Sequence, residues 1–198
     1  MFRACREALP AEVPLSFDAN GGYSVSTAIS QGRRFEALGL THFEEPIPYY
    51  DLPGLRQVVD ALDAPVSSGE WEPNRWRFAD LIRLGNPDIL QPDILAAGGI
   101  SELQRICDLA SAYNKPVMPH CSPFLPLTAM ASLHLYSTLL NGVRPHEFTT
   151  EGTAPVDQAA ALFEDPIVPS NGRITLADRP GLGLTINDRE LQKALIRA

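Results

Sequence analysis

The sequence predicts an α/β protein built on a parallel sheet, closed as a TIM-type barrel rather than doubly wound. Three observations carry this. Short apolar runs alternate with amphipathic helical stretches along most of the chain, the order that produces parallel strands joined by crossover helices. No glycine-rich phosphate loop follows the first strand, so a dinucleotide-binding fold lacks its usual mark. A residue able to bind metal or move protons recurs at or near the end of every apolar run, as expected where the C-terminal ends of barrel strands meet around one site.

The elements follow in order. "MFRACREALP" reads as the end of a helix, and "VPLSFD" (13–18) as the first strand. The next strands are "THFEE" (41–45), "PVSSGE" (65–70), "DILQPD" (88–93), "PVMPH" (116–120) and "PHEF" (145–148). Between them, Leu55, Val58, Val59 and Leu62 share one helical face, as do Leu103, Ile106, Cys107, Ala110 and Tyr113. Ser101 and Gln104 have the spacing of a capping box, while Gly39 and Gly142 stand where helices need a left-handed terminus. "GGIS" (98–101) opens a helix but is too short to define a phosphate site. After residue 150 the chain becomes rich in Pro and Gly, then "NDRELQKALI" reads as a closing helix. The expected organisation is a partial barrel over 1–150 that bears the site, with a tail and closing helix over 151–198.

The 198 residues are 44% hydrophobic and carry a net charge of −8. That balance opposes binding to nucleic acid, whose phosphates demand a basic face, and to an anionic membrane. No run approaches a membrane span, and the first ten residues lack the apolar core of a signal peptide, so a cytoplasmic protein is expected. Cys5, Cys107 and Cys121 have no metal-type spacing and are an odd number, which points to reduced thiols. The only lysines are Lys115 and Lys193.

The residues that carry chemistry are Asp18, Glu44, Glu70, Asp93, His120 and Glu147, separated by 26, 26, 23, 27 and 27 residues. Each gap is about one strand-plus-helix unit, which predicts one ring of convergent polar groups. Two like charges 4 Å apart repel by about 4 kcal/mol at an effective dielectric near 20. Three carboxylates in one mouth therefore call for protons or a cation. Hard oxygen donors on consecutive strands suit Mg²⁺, with Asp18, Glu44 and Glu70 as the ligands. Asp93 precedes His120 by one unit; bonded to one imidazole nitrogen, it would leave the other free as acid or base. His42, His134 and His146 have no such partners in sequence and read as structural or surface residues. Glu45 follows Glu44 directly. Neighbours on a strand point to opposite faces, so Glu44 is the expected ligand and Glu45 a support at the rim.

"FDANGGYS", "FEEPIPYYD", "SSGEW", "LQPDILAAGGI" and "VMPHC" together resemble the mandelate racemase-like branch of the enolase superfamily, above all its acid-sugar dehydratases. The resemblance runs from about residue 6 to the C-terminus. It implies a (β/α)₇β barrel in which Mg²⁺ holds a substrate carboxylate while the α-proton is removed to give a metal-stabilised enediolate; a Lys or His base beside Mg²⁺ is the superfamily's pattern. It also implies Asp18, Glu44 and Glu70 as metal ligands, Asn20 as their neighbour and support, and His120 with Asp93 as the acid–base pair. Glu147 resembles the last-strand acid that hydrogen-bonds the substrate carboxylate, although "HEFTTEG" is a loose match. The substrate implied is a small carboxylate, a sugar acid.

The chain departs from that pattern. The resemblance implies a lysine motif on the strand before Asp18 and an N-terminal α+β capping domain; neither is found in the 17 residues that precede Asp18. Six of eight barrel strands are expected, with strand 13–18 left as an open edge and apolar surface beside it suited to a homo-oligomer. Three readings stay open: a sugar-acid dehydratase or racemase, a truncated remnant that binds metal without turnover, and a non-enzymatic module that binds its ligand through a divalent cation.

Overall fold

A computed structural model of the protein describes residues 1–121, 126–148, 160–165, 167 and 169–196. Its centre is a parallel four-stranded sheet in the order β1-β2-β3-β4, formed by Leu15–Asp18, Leu40–Glu44, Val66–Ser68 and Ile89–Leu90. Helix α1 (Phe2–Ala8) leads in. α2 (Val25–Glu36) and α3 (Leu52–Ala61) follow β1 and β2, and α4 (Arg75–Asp80) with a π-type turn (Leu81–Gly85) follows β3. α5 (Ile100–Ala112) and α6 (Pro126–Tyr136) come next, and α7 (Asp188–Ile196) closes the described chain. No helix among the described residues is long and apolar enough to cross a membrane.

Register explains which side chains face the site. Phe17 pairs with Phe43, and Phe43 with Val66; this face, with Leu90, packs on Leu55, Val58, Phe78, Leu103 and Ile106 from the helices. Ser16 pairs with His42 and Asp18 with Glu44 on the opposite face. The same alternation that buries the aromatics therefore sends the polar residues to the other side. Fully burying a side chain such as Phe43 or Phe78 contributes about 1.5–3 kcal/mol, so the helical face holds the sheet and frees the other for chemistry.

The strands are shorter than the sequence runs. Glu70 lies two residues past β3 and Asp93 three past β4, so both stand on loops at the C-terminal edge of the sheet. Segment 116–120 makes a single parallel bridge, Val117 beside Leu90, with Met118 N–H donating to Leu90 O at 2.9 Å. Segment 145–148 forms no strand, which corrects the expected sixth. Pro145 has no N–H to give a ladder. α6 holds its neighbours instead: Ser132 Oγ bonds His146 Nε2 at 2.8 Å, and the Tyr136 hydroxyl donates to Arg144 O. The sheet does not close on itself among the described residues, and β1 has β2 as its only strand partner there. Residues 151–159, the start of the expected tail, lie outside the described residues.

Two local expectations also change. α5 starts after Gly99 (φ +100) with no side-chain cap, so Ser101 sits inside the helix and Gln104 donates to Asp108 instead. Gly39 has the left-handed φ of +80 expected past α2. Gly142 serves packing instead: a Cβ there would lie 2.8 Å from the Tyr136 ring.

Candidate active site

All six residues spaced along the sequence reach the C-terminal edge of the sheet, the side where open α/β sheets bind ligands. Asp18 ends β1 and accepts from the Asn20 backbone N–H at 2.7 Å and from Asn20 Nδ2 at 2.8 Å. Asn20 holds a left-handed φ of +47, a conformation asparagine tolerates, and this turns its amide back onto the carboxylate. Burial and the charge of Glu44 push the Asp18 carboxyl up, against the Asn20 bonds and the His120 charge.

Glu44 ends β2 beside Asp18 in the ladder. Its Oε1 accepts from Gln91 Nε2 at 2.7 Å, and its Oε2 lies 3.7 Å from His42 Nε2. The other ring nitrogen of His42 bonds Ser16 Oγ at 2.7 Å.

Glu70 follows Gly69, whose φ of +135 suits glycine alone and swings the carboxylate over the sheet edge. Burial pushes it up to about 7. The charge of His120 opposes this; those of Glu44, Asp18 and Glu147 add to it. Asp18, Glu44 and Glu70 thus act electrically on one another.

The acid–base pair is formed. His120 Nδ1 bonds Asp93 Oδ2 at 2.8 Å, while Nε2 faces Glu70 Oε2 at 3.5 Å. Asp93 Oδ1 accepts from the backbone N–H groups of Leu95 and Ala96, which locks the carboxylate in place. Burial opposes charge on both partners, yet the bond between them wins: Asp93 is held below the usual carboxylate range, and His120 is pushed up to about 9 with help from Glu70 and Glu147. Glu147 Oε2 accepts from the Cys121 N–H at 2.9 Å, with burial pushing its carboxyl up.

Glu45 points elsewhere than Glu44. A left-handed φ of +35 turns it past the strand, and its Oε2 accepts from Trp71 Nε1 at 3.2 Å. Only 3% exposed, it is pushed up to about 8 by burial and then by the charges of Glu70 and Asp18.

The donor set fits a hard divalent ion: three carboxylates at or just past the ends of neighbouring strands, turned toward the same edge. Among the described residues, no three such side chains gather closely enough to enclose an ion in their present rotamers. Asp18 is engaged with Asn20, Glu44 with Gln91, and Glu70 leans toward His120.

Sequence reasoning missed Gln91, Ser67 and His42, which are buried around Glu44. A signal for Gln91 was present: it directly follows the apolar run of β4, two residues before Asp93, inside the quoted "LQPD".

Residues 1–190 match the family described as enolase C-terminal domain-like. Arabinonate dehydratase of Saccharolobus solfataricus is 33% identical over 94% of the chain, and L-talarate/galactarate dehydratase of Salmonella typhimurium is 35% identical over 94%. The chain spans 48% and 43% of those two proteins. A mandelate racemase/muconate lactonizing protein of Paracoccus denitrificans, solved in complex with magnesium, superposes with a TM-score of 0.90 at 35% identity, covering 97% of this chain and 50% of that one. The matched length, the parallel sheet and the order of the motifs agree: the chain belongs to the enolase C-terminal domain-like family.

Proposed function

We propose that the chain carries the site for Mg²⁺-dependent removal of the proton α to the carboxylate of a sugar acid, as in acid-sugar dehydratases and racemases. The observation that carries the reading is the 2.8 Å bond between His120 and Asp93 beside Glu70 and the other carboxylates. Simple cation binding needs no such oriented imidazole. The names of the dehydratase relatives supply the substrate class, and the magnesium in the Paracoccus protein supports the metal.

Asp18, Glu44 and Glu70 would hold Mg²⁺, with Asn20 orienting Asp18. When bound, the ion supplies positive charge that offsets these carboxylates and steadies the negative charge developing on the substrate carboxylate. His120 holds or moves the proton at Nε2, because Nδ1 is committed to Asp93. As the free imidazole it takes the α-proton; as the imidazolium it gives a proton to a departing β-hydroxyl, which leaves as water. Glu147, in its protonated form, would donate a hydrogen bond to the substrate carboxylate, and burial favours that form.

A second reading, metal binding without turnover, is favoured by the lysines. Lys115 Nζ bonds Asn86 O at the opposite end of the strands, and Lys193 bonds Glu190 within α7. Neither reaches the site.

Exchange of the α-proton in D₂O, across a panel of sugar acids with and without Mg²⁺, tests the function. Expected is Mg²⁺-dependent exchange that His120→Asn abolishes while Mg²⁺ binding persists. Binding without exchange would select the second reading. Saturating Mg²⁺ at about 100 Kd should stabilise the fold by about 2.7 kcal/mol. No stabilisation, with an unchanged unfolding curve in Glu70→Gln, would remove the metal site.

A further inference from the structure

Three buried residues surround the Glu44 carboxylate, and each leaves one polar atom without a hydrogen-bond partner among the described residues: Gln91 Oε1, Ser67 Oγ and His42 Nε2. Gln91 is 1% exposed, Ser67 is fully buried and stands opposite Glu44 in the ladder, and His42 lies two residues before it on the same strand face. Buried polar groups in a packed interior are ordinarily satisfied, and an apolar residue of similar shape would spare the cost. Packing therefore does not explain a glutamine here. Its side-chain bond does: from the residue after β4, Nε2 reaches Glu44 Oε1 at 2.7 Å, across β3.

We propose that Gln91 is a positioning residue for Glu44, holding one carboxylate oxygen so that the other side of the group is presented to the metal ion. The inference rests on the metal reading given above and adds the element that sets the ligand's orientation. A neutral amide suits the task. It donates to the ionised carboxylate without competing for the cation's charge, whereas a lysine or arginine would neutralise the ligand and repel the ion. Partners that orient a ligand in this way typically change metal affinity about 10- to 100-fold when removed. Glu44 would then be pre-set by the fold, while Asp18 and Glu70 close on the ion from flanking strands.

The test uses the 198-residue chain and Mg²⁺ alone. Gln91→Met keeps length and volume but removes the donor; Gln91→Asn keeps the amide but is one methylene too short. Isothermal titration gives the Mg²⁺ Kd, and thermal unfolding without metal gives the fold's own stability. Expected is a Kd weakened about 10- to 100-fold in both variants, with metal-free midpoints unchanged or, for Gln91→Met, raised as the unpartnered Oε1 is removed. Kd values within twofold of the unaltered chain would overturn the proposal. So would unfolding of both variants without metal, which would make Gln91 a core residue. If the unaltered chain itself binds no Mg²⁺, the metal reading fails first and takes this inference with it.

Discussion

Gly69 joins β3 to Glu70, and replacing it by alanine tests whether backbone geometry aims that carboxylate. Its φ of +135 is a conformation that L side chains rarely adopt, and strain of this kind costs about 1–3 kcal/mol. The added Cβ would lie 2.9 Å from Phe78 Cε1, 3.2 Å from Phe78 Cζ and 3.3 Å from Gln91 N. Phe78 is fully buried, so its ring cannot swing into solvent, and Gln91 N donates to Ser68 O at 3.0 Å within the sheet. Overpacking a core in this way typically costs about 1–3 kcal/mol more. The combined loss, about 2–6 kcal/mol, is a large share of the roughly 5–15 kcal/mol that holds a domain together. Urea unfolding followed by far-UV circular dichroism gives the difference from the shift in midpoint at constant slope. Mg²⁺ affinity should fall as well, because Glu70 is displaced. A loss under about 1 kcal/mol, with metal affinity intact, would show that the loop relaxes freely and that Gly69 does not aim Glu70.

Two further outcomes follow from the same interior. Glu45, Glu70 and His120, pushed up to about 8, 7 and 9, bind protons more tightly folded than unfolded, so metal-free stability should decline as pH rises from 4.5 toward 9. Asp93, held low, acts in the opposite sense only as pH falls toward its own range below 3.8. Melting midpoints at pH 5 and pH 8 check this, and an equal or higher midpoint at pH 8 would contradict it. Cys107 and Cys121 are buried, and burial pushes both thiols up to about 12, whereas Cys5 is exposed. Iodoacetamide at pH 8 should therefore label the folded chain once, at Cys5, and the urea-unfolded chain three times, as read by mass spectrometry. Rapid labelling of Cys107 in the folded chain would place it outside the core.

Spacing alone determined much of this protein. Repeats of 23 to 27 residues put Asp18, Glu44, Glu70, Asp93, His120 and Glu147 at one edge because each strand-plus-helix unit returns the chain to the same side of a parallel sheet. Period-two alternation separated Phe43, which packs on the helices, from Glu44, which does not. Local pattern was a weaker guide where tertiary contacts outweigh it. "PHEF" has strand-like composition, yet Pro145 gives the sheet no donor and the side chains of α6 hold the segment. The Ser101–Gln104 spacing suits a cap, but the helix starts two residues earlier, with Gly99 at the cap. Strand alternation already parted Glu44 from Glu45; the folded chain decided where Glu45 goes, because a left-handed backbone turns it to accept from Trp71. The bond from Gln91 to Glu44 needed the fold: 47 residues separate them, and a bond across β3 exists only once the sheet has set their register.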